Sequence, residues 1–173
     1  SKYGFSKAIC EENIEKILTP NNQLIILRTS WLVGPKGKNF LLAMLKLHKE
    51  KDFLSVVSDQ VGAMSSTFDV ATICWSIINN WNLISKRNFI NHWTCNGTTS
   101  WYDIAVAIGD IATKYQILKS PAEIIPIKTE NYPTLAKRPK YSILDCTSTK
   151  EILNLNGKYW RHELENIIST MIN

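Results

Sequence analysis

Tyr3 and Lys7 stand four positions apart near the front of the chain, one turn along a helix and therefore on one face. A phenol and an ammonium placed this way suit the reduction of a carbonyl. Hydride delivery builds negative charge on the carbonyl oxygen, so a proton donor must stand within about 3 Å of it. Tyr3 is the candidate acid. A cation within about 4–6 Å favours the phenolate through which such a donor cycles, and Lys7 is spaced for that. Tyr and Lys four apart also describe an ordinary solvated helix face, so the pair needs support from the rest of the chain.

The elements that must position the pair can be read from periodicity. Residues 2–18 predict a helix, with Phe5, Ile9, Ile14 and Ile17 as its apolar stripe and Thr19-Pro20-Asn21-Asn22 as its stop. Leu24-Ile25-Ile26-Leu27 predicts a strand buried on both faces of a parallel sheet. It empties into Arg28-Thr29-Ser30-Trp31 and a loop over 34–38, at the carboxyl end of a strand, where ligands of open α/β sheets sit. A helix over 39–50, a strand over 53–57, a polar loop over 59–67 and a helix over 69–81 follow. A strand over 89–95 leads to a helix capped by Thr99 or Ser100 and running to 114. The chain then gives a strand over 124–127, a loop over 132–139, and helices over 147–153 and 160–172. Strand and helix alternate throughout, which makes the class α/β.

With 173 residues, 45% of them hydrophobic and 20% charged, the chain is long enough to bury a core. The net charge of +5 is scattered, unlike a basic arm, so no nucleic-acid partner is expected. A mild positive surplus suits a small anionic substrate or cofactor phosphates. Cys10, Cys74, Cys95 and Cys146 form no CxxC pair and have no His at ligand spacing, so they read as four lone buried thiols and no metal is expected. No apolar run reaches the ~18 residues of a membrane span, and a cytoplasmic setting without membrane attachment is expected. His48, on the polar side of a Lys-rich helix, and His92 and His162 lack partners at catalytic spacing and read as surface or hydrogen-bonded structural residues. Trp75, Trp81, Trp93 and Trp101 suit core packing. None of the seven glycines belongs to a strand, Gly-rich turn and helix that would cradle a dinucleotide pyrophosphate. With Ser1-Lys2-Tyr3 running straight into the first amphipathic pattern, the chain reads as the C-terminal portion of a longer polypeptide.

Taken in order, Tyr3-xxx-Lys7, Leu27-Arg28-Thr29-Ser30-Trp31, Gly37-Lys38-Asn39-Phe40, Asp59-Gln60-Val61-Gly62, Ser100-Trp101-Tyr102, Tyr132-Pro133-Thr134 and Ala136-Lys137-Arg138-Pro139 resemble the dTDP-4-dehydrorhamnose reductase family of extended short-chain dehydrogenases/reductases. The resemblance implies the C-terminal part of an NAD(P)-binding Rossmann-type fold with a smaller α/β substrate-binding lobe. Residues 1–30, 67–104 and 162–173 would complete the cofactor domain, and 31–66 and 105–161 would form the substrate domain. It implies reduction of the C4 keto group of dTDP-4-dehydro-β-L-rhamnose with NADPH or NADH, within cell-surface polysaccharide biosynthesis. The expected partners are a dTDP-sugar and, in some assemblies of the family, a second copy in a homodimer. Two other readings of the same fold are a non-catalytic binding subunit and a related sugar-nucleotide epimerase or dehydratase. Expressed alone, a chain lacking most of its cofactor sheet is expected to fold poorly and turn over nothing.

By the resemblance, Tyr3 is the acid, Lys7 its electrostatic helper and a holder of the nicotinamide ribose, and Trp31 a substrate contact. Trp31 otherwise packs the base of its own loop, and Thr29 and Ser30 either bond the ligand or satisfy that loop. Lys137 and Arg138, in a Pro-bounded loop, suit the substrate diphosphate, unless Arg138 pairs with Asp145. The chain departs from the family pattern at Cys10, where a small residue is usual, and at Met64-Ser65, where Pro-Thr is usual. Phe68 and Asp69 stand where some members carry a magnesium-binding glutamate.

Overall fold

The computed structural model describes residues 2–21, 23–87, 89–134, 136 and 138–172. In chain order the elements are α1 (Lys2–Leu18), β1 (Ile26–Arg28), β2 (Leu32–Val33), α2 (Phe40–Glu50), β3 (Phe53–Val57), β4 (Val61–Gly62), β5 (Ser65–Ser66), α3 (Thr67–Asn79), α4 (Trp81–Arg87), β6 (Ile90–His92), β7 (Thr99–Ser100), α5 (Trp101–Lys114), β8 (Glu123–Ile127), α6 (Thr147–Leu153) and α7 (Trp160–Ser169). The fold is α/β, as the alternation required. Parallel pairing joins β3 to β8, with Phe53 opposite Glu123, β1 to β6 and β2 to β5. β4 and β7 pair antiparallel.

Two hydrophobic clusters organise these elements. The larger is built around α5, whose Ile104, Ala105, Ile108 and Ala112 are fully buried against Leu41 and Met44 of α2, Val56 of β3, and Leu164 and Ile167 of α7. Small residues let α5 lie close to its neighbours: a Cβ at Gly109 would come 3.0 Å from both His48 Cε1 and Pro121 Cβ. The smaller cluster gathers Ile73 and Ile77 of α3, Ile84 of α4 and Trp93, with Leu27 of β1 and Ile152 of α6 packed on it. Each large aliphatic side chain removed from water contributes roughly 1.5–3 kcal/mol.

Several expectations are corrected. The strand expected over 24–27 pairs only over Ile26–Arg28, and it is half-buried, because β6 flanks it on one side and the small cluster covers one face. The loop over 59–67 carries β4 and β5, two-residue strands whose partners lie far away in sequence. The helix expected over 69–81 begins at Thr67, capped by Ser66, whose Oγ accepts from the Asp69 amide. It breaks at Asn80, where α4 takes over. The strand over 89–95 is paired only at 90–92, and the last helix ends at Ser169. Only Cys95 and Cys146 are buried; Cys10 on α1 and Cys74 on α3 are exposed. Trp75 is likewise exposed on α3, while Trp93 is in the core. His48 lies inside the fold instead of on a polar face. Its Nε2 donates to Ala105 O at 3.1 Å and its Nδ1 accepts from the Ala122 amide at 3.1 Å, bolting α2 to α5 and to the turn before β8.

Candidate active site

Tyr3 and Lys7 share one exposed face of α1, with Lys7 Nζ 5.7 Å from the centre of the Tyr3 ring. Among the described residues neither carries an ion pair to a carboxylate, and Tyr3 is 73% exposed. Among the described residues α1 is joined to β1 by Arg28, which donates from Nε and Nη2 to the two carboxylate oxygens of Glu11. The guanidinium hydrogen bond holds the Glu11 carboxyl below its ordinary range, against the opposing cost of burial. Tyr3 lies eight residues before Glu11, about 12 Å along the helix axis.

Trp31 adopts a left-handed backbone, φ 48°, and its ring is held by two residues. It stacks on Trp101, the first residue of α5, with centroids 4.0 Å apart and planes 20° apart. Gly62 also approaches it so closely that a Cβ there would meet Trp31 Cζ2 at 2.7 Å and Ser142 Oγ at 2.8 Å. The residues before Trp31 are spent on the loop itself. Thr29 Oγ1 donates to Ser65 Oγ at 2.6 Å, Ser30 Oγ donates to Ala63 O at 2.9 Å, and the Ser65 amide donates to Trp31 O at 3.2 Å. No described hydrogen bond, ion pair or ring contact joins Trp31 to Tyr3 or Lys7.

Beside this stack opens a cavity of about 640 Å³. Its back wall is apolar, formed by Phe40, Met44, Leu54, Val56 and Trp101; Lys38, Gln60, Tyr132, Thr134 and Arg138 supply polar groups. Trp101 belongs to both features, lining the cavity and stacking on Trp31, while Phe40 packs on it with centroids 4.6 Å apart. Asn39 also lines the cavity. Its Oδ1 accepts from the Leu42 amide as N-cap of α2, and its Nδ2 donates to Gly34 O and Lys36 O, holding the turn that carries Lys38. Gln60 donates to Thr129 Oγ1, which donates in turn to Asp59 Oδ1 at 2.6 Å. Asp59 also accepts from the Thr129 amide and faces Lys140, and it is held below the usual carboxylate range, first by the Thr129 hydroxyl.

Five of the seven sequence landmarks thus converge on one cavity, although they span 38 to 138 in the chain. Trp101, read from sequence as core packing, lines it, as do Lys38, Phe40, Gln60, Tyr132 and Thr134, for which sequence reasoning assigned no role. Their membership in ordered motifs was the available signal. Arg138 lines the cavity and forms no described ion pair with Asp145, which accepts instead from the Thr147 amide. Lys137 lies outside the described residues. Among the described residues no group of three or more His, Cys, Asp or Glu gathers as a metal site, and no helix is long and apolar enough to cross a membrane.

The family model described as the RmlD substrate binding domain matches residues 1–173. The dTDP-4-dehydrorhamnose reductase of Aggregatibacter actinomycetemcomitans is 39% identical over 166 residues, covering 95% of this chain and 55% of the relative. A solved dTDP-4-dehydrorhamnose reductase of Bacillus anthracis, in complex with NADP, is similar with a TM-score of 0.82 at 30% identity, over 97% of this chain and 55% of that one. The corresponding structure from Clostridium acetobutylicum gives 0.80 at 35% identity, over 94% and 53%. The chain spans about half the length of the curated relatives it matches.

Proposed function

The chain belongs to the dTDP-4-dehydrorhamnose reductase family, and from that premise we propose that it supplies the substrate-binding part of a reductase acting on the C4 keto group of dTDP-4-dehydro-β-L-rhamnose. The observation that carries this reading is the convergence of the ordered motifs on one cavity with an apolar aromatic wall and two cations, Lys38 and Arg138. An apolar wall suits a nucleobase and deoxyribose. The two cations suit a diphosphate, for which Arg138 offers a planar fork and Lys38 a point charge just ahead of the N-terminus of α2. The sugar then extends toward Trp31.

Tyr3 is the proton donor. As hydride reaches C4, the C4–O double bond becomes a single bond, and the oxygen takes the phenolic proton of Tyr3; the resulting phenolate regains a proton from solvent. Lys7 holds that phenolate and offers N–H donors to the ribose hydroxyls of the cofactor. Its exposed ammonium, with no described carboxylate partner, fits that use. The nicotinamide supplies the hydride when bound. The NADP in the Bacillus anthracis relative supports NADPH as the donor, with NADH as the alternative.

Residues 31–66 and 105–161 are the substrate lobe in this reading, and 1–30, 67–104 and 162–173 belong with the cofactor lobe. The packing of α2, β3 and β8 in the larger cluster and of β1 and α3 in the smaller supports the division for those elements, whereas α7 packs in the larger cluster and α6 on the smaller, across it. The setting is cytoplasmic, and the product feeds cell-surface polysaccharide; a homodimer is the assembly proposed.

The test follows NADPH oxidation on adding the dTDP-sugar to the protein encoded by the complete reading frame that carries this chain. Turnover that drops about 10²–10⁴-fold in Tyr3→Phe supports the assignment. A folded wild-type protein without turnover overturns it.

A further inference from the structure

Three non-glycine residues among those described have positive φ: Trp31, Gln116 and Asn154. Asn154 is the C-cap of α6, and Gln116 directly follows the C-cap of α5, where left-handed residues routinely end helices. Trp31 ends no helix. A bulky residue held in that region is strained, and such strain persists where the surroundings over-determine it. The surroundings do so here: Trp101 stacks on the indole, Gly62 lies against its Cζ2 and Cε2 atoms with no room for a Cβ, and the Thr29, Ser30 and Ser65 hydrogen bonds fasten the backbone on either side.

We infer that Trp101 and Gly62 are positioning residues that clamp the Trp31 indole in one orientation and so preset the surface on which the sugar end of the substrate rests. This rests on the reading of Trp31 as the substrate-facing residue. Trp101 also lines the cavity and packs on Phe40, so one aromatic column links the cavity wall to Trp31. Filling the cavity with the nucleotide end therefore bears on the side chain that meets the sugar end. A Cβ at position 62 has nowhere to go, because Trp31 and Ser142 press on it from two directions. The clamp presets a surface that meets the sugar equally in the bound ground state and the transition state, so its loss falls on KM and leaves kcat nearly unchanged.

The test uses the complete protein and two readouts. Stacked indoles couple their electronic transitions, which gives a paired signal in ultraviolet circular dichroism. Gly62→Ala keeps both indoles, yet is expected to weaken that signal and raise KM for the dTDP-sugar several-fold. Trp101→Leu is expected to raise KM about five- to tenfold, with kcat within about twofold, and Trp101→Phe to recover most of the loss. In a Trp31→Ala background Gly62→Ala adds no more than about twofold, because the residue through which it acts is gone, and Trp101→Leu adds less than it does in wild type, keeping only the part that comes from the cavity wall. Full additivity in that background, or an unchanged paired signal in Gly62→Ala, overturns the clamp. An unchanged KM in Trp31→Ala alone overturns the substrate-facing reading of Trp31 and the clamp's purpose with it, while the dichroism still reports whether the stack exists. If Gly62→Ala fails to fold, Trp101→Phe and Trp101→Leu carry the same cycle.

Discussion

Asp59 and Asp69 lie on either side of the segment that packs against Trp31, and their environments shift them in opposite directions. Asp59 accepts hydrogen bonds from the hydroxyl and amide of Thr129, and these favour its charged form. Asp69 is pushed up, first by burial and further by the nearby charge of Glu163, although the Trp93 indole donates to it at 2.6 Å. A depressed folded value means that the contribution of Asp59 is complete above the unfolded value of about 3.9. It is lost as pH falls through the lower folded value. A raised folded value reverses the sign: the cost of keeping Asp69 charged weighs on the fold above its folded value and is relieved as pH falls toward the unfolded one. Thermal unfolding from about pH 6 to pH 3 should therefore show wild type losing ground against Asp59→Asn and gaining ground against Asp69→Asn. Two differences that are flat, or that slope the same way, would contradict these environments.

At the scale of elements, α5 does most of the positioning, since it forms the centre of the larger cluster and its first residue is Trp101. Its start is a reciprocal cap. Ser100 Oγ accepts from the Asp103 amide at 3.1 Å, and the Asp103 carboxylate accepts from the Ser100 amide at 2.9 Å. Ser100→Ala should cost about 1 kcal/mol, a fall of roughly 2–4 °C in melting temperature for a protein of this size. Ser100→Asn should recover most of it, and an equal loss in both variants would show that the cap is not what holds the start of α5. The cap was legible in sequence as Thr99 or Ser100, and Asp103 decides for Ser100. β3 and α6 were also legible to the residue, because each has a sustained apolar or amphipathic pattern with a clear stop. β2, β4, β5 and β7 were not, since two-residue strands have no periodicity to read and exist only through distant partners. The site followed the same division. The order of the motifs was legible, whereas the arrangement of Lys38, Gln60, Trp101, Tyr132 and Arg138 around one cavity depends on how α2, α5 and the 132–138 loop pack. Burial of His48 was hidden for a related reason: its ring is satisfied by backbone groups of α5 and of residue 122, which no local pattern announces.

At the scale of the whole molecule, the larger cluster closes on itself without α1. None of the helix's described residues is buried, and Phe5, Ile9, Ile14 and Ile17 remain exposed along the stripe that sequence periodicity marked for a core. Among the described residues the Glu11–Arg28 pair is the ion pair that joins the helix to the rest of the fold, and a partly exposed pair contributes only about 0–1 kcal/mol. A helix of this length is marginal without tertiary packing. In the 173-residue chain studied alone, which the missing cofactor sheet is expected to leave poorly folded, the larger cluster is complete without α1 and should hold α5, so the α1 amides should exchange with solvent far faster than those of α5. Removing residues 1–21 should move the melting temperature by less than about 3 °C, because the main core is left intact. The same helix carries Tyr3 and Lys7, so the proposed acid and its helper hold a fixed geometry only when another surface covers the apolar stripe. In the proposed reductase that surface is the cofactor-binding half, and joining it to this chain should slow α1 exchange by orders of magnitude and bring turnover with it. Protection of α1 equal to that of α5 in the chain alone would break this link, since the helix would then be ordered without any covering partner.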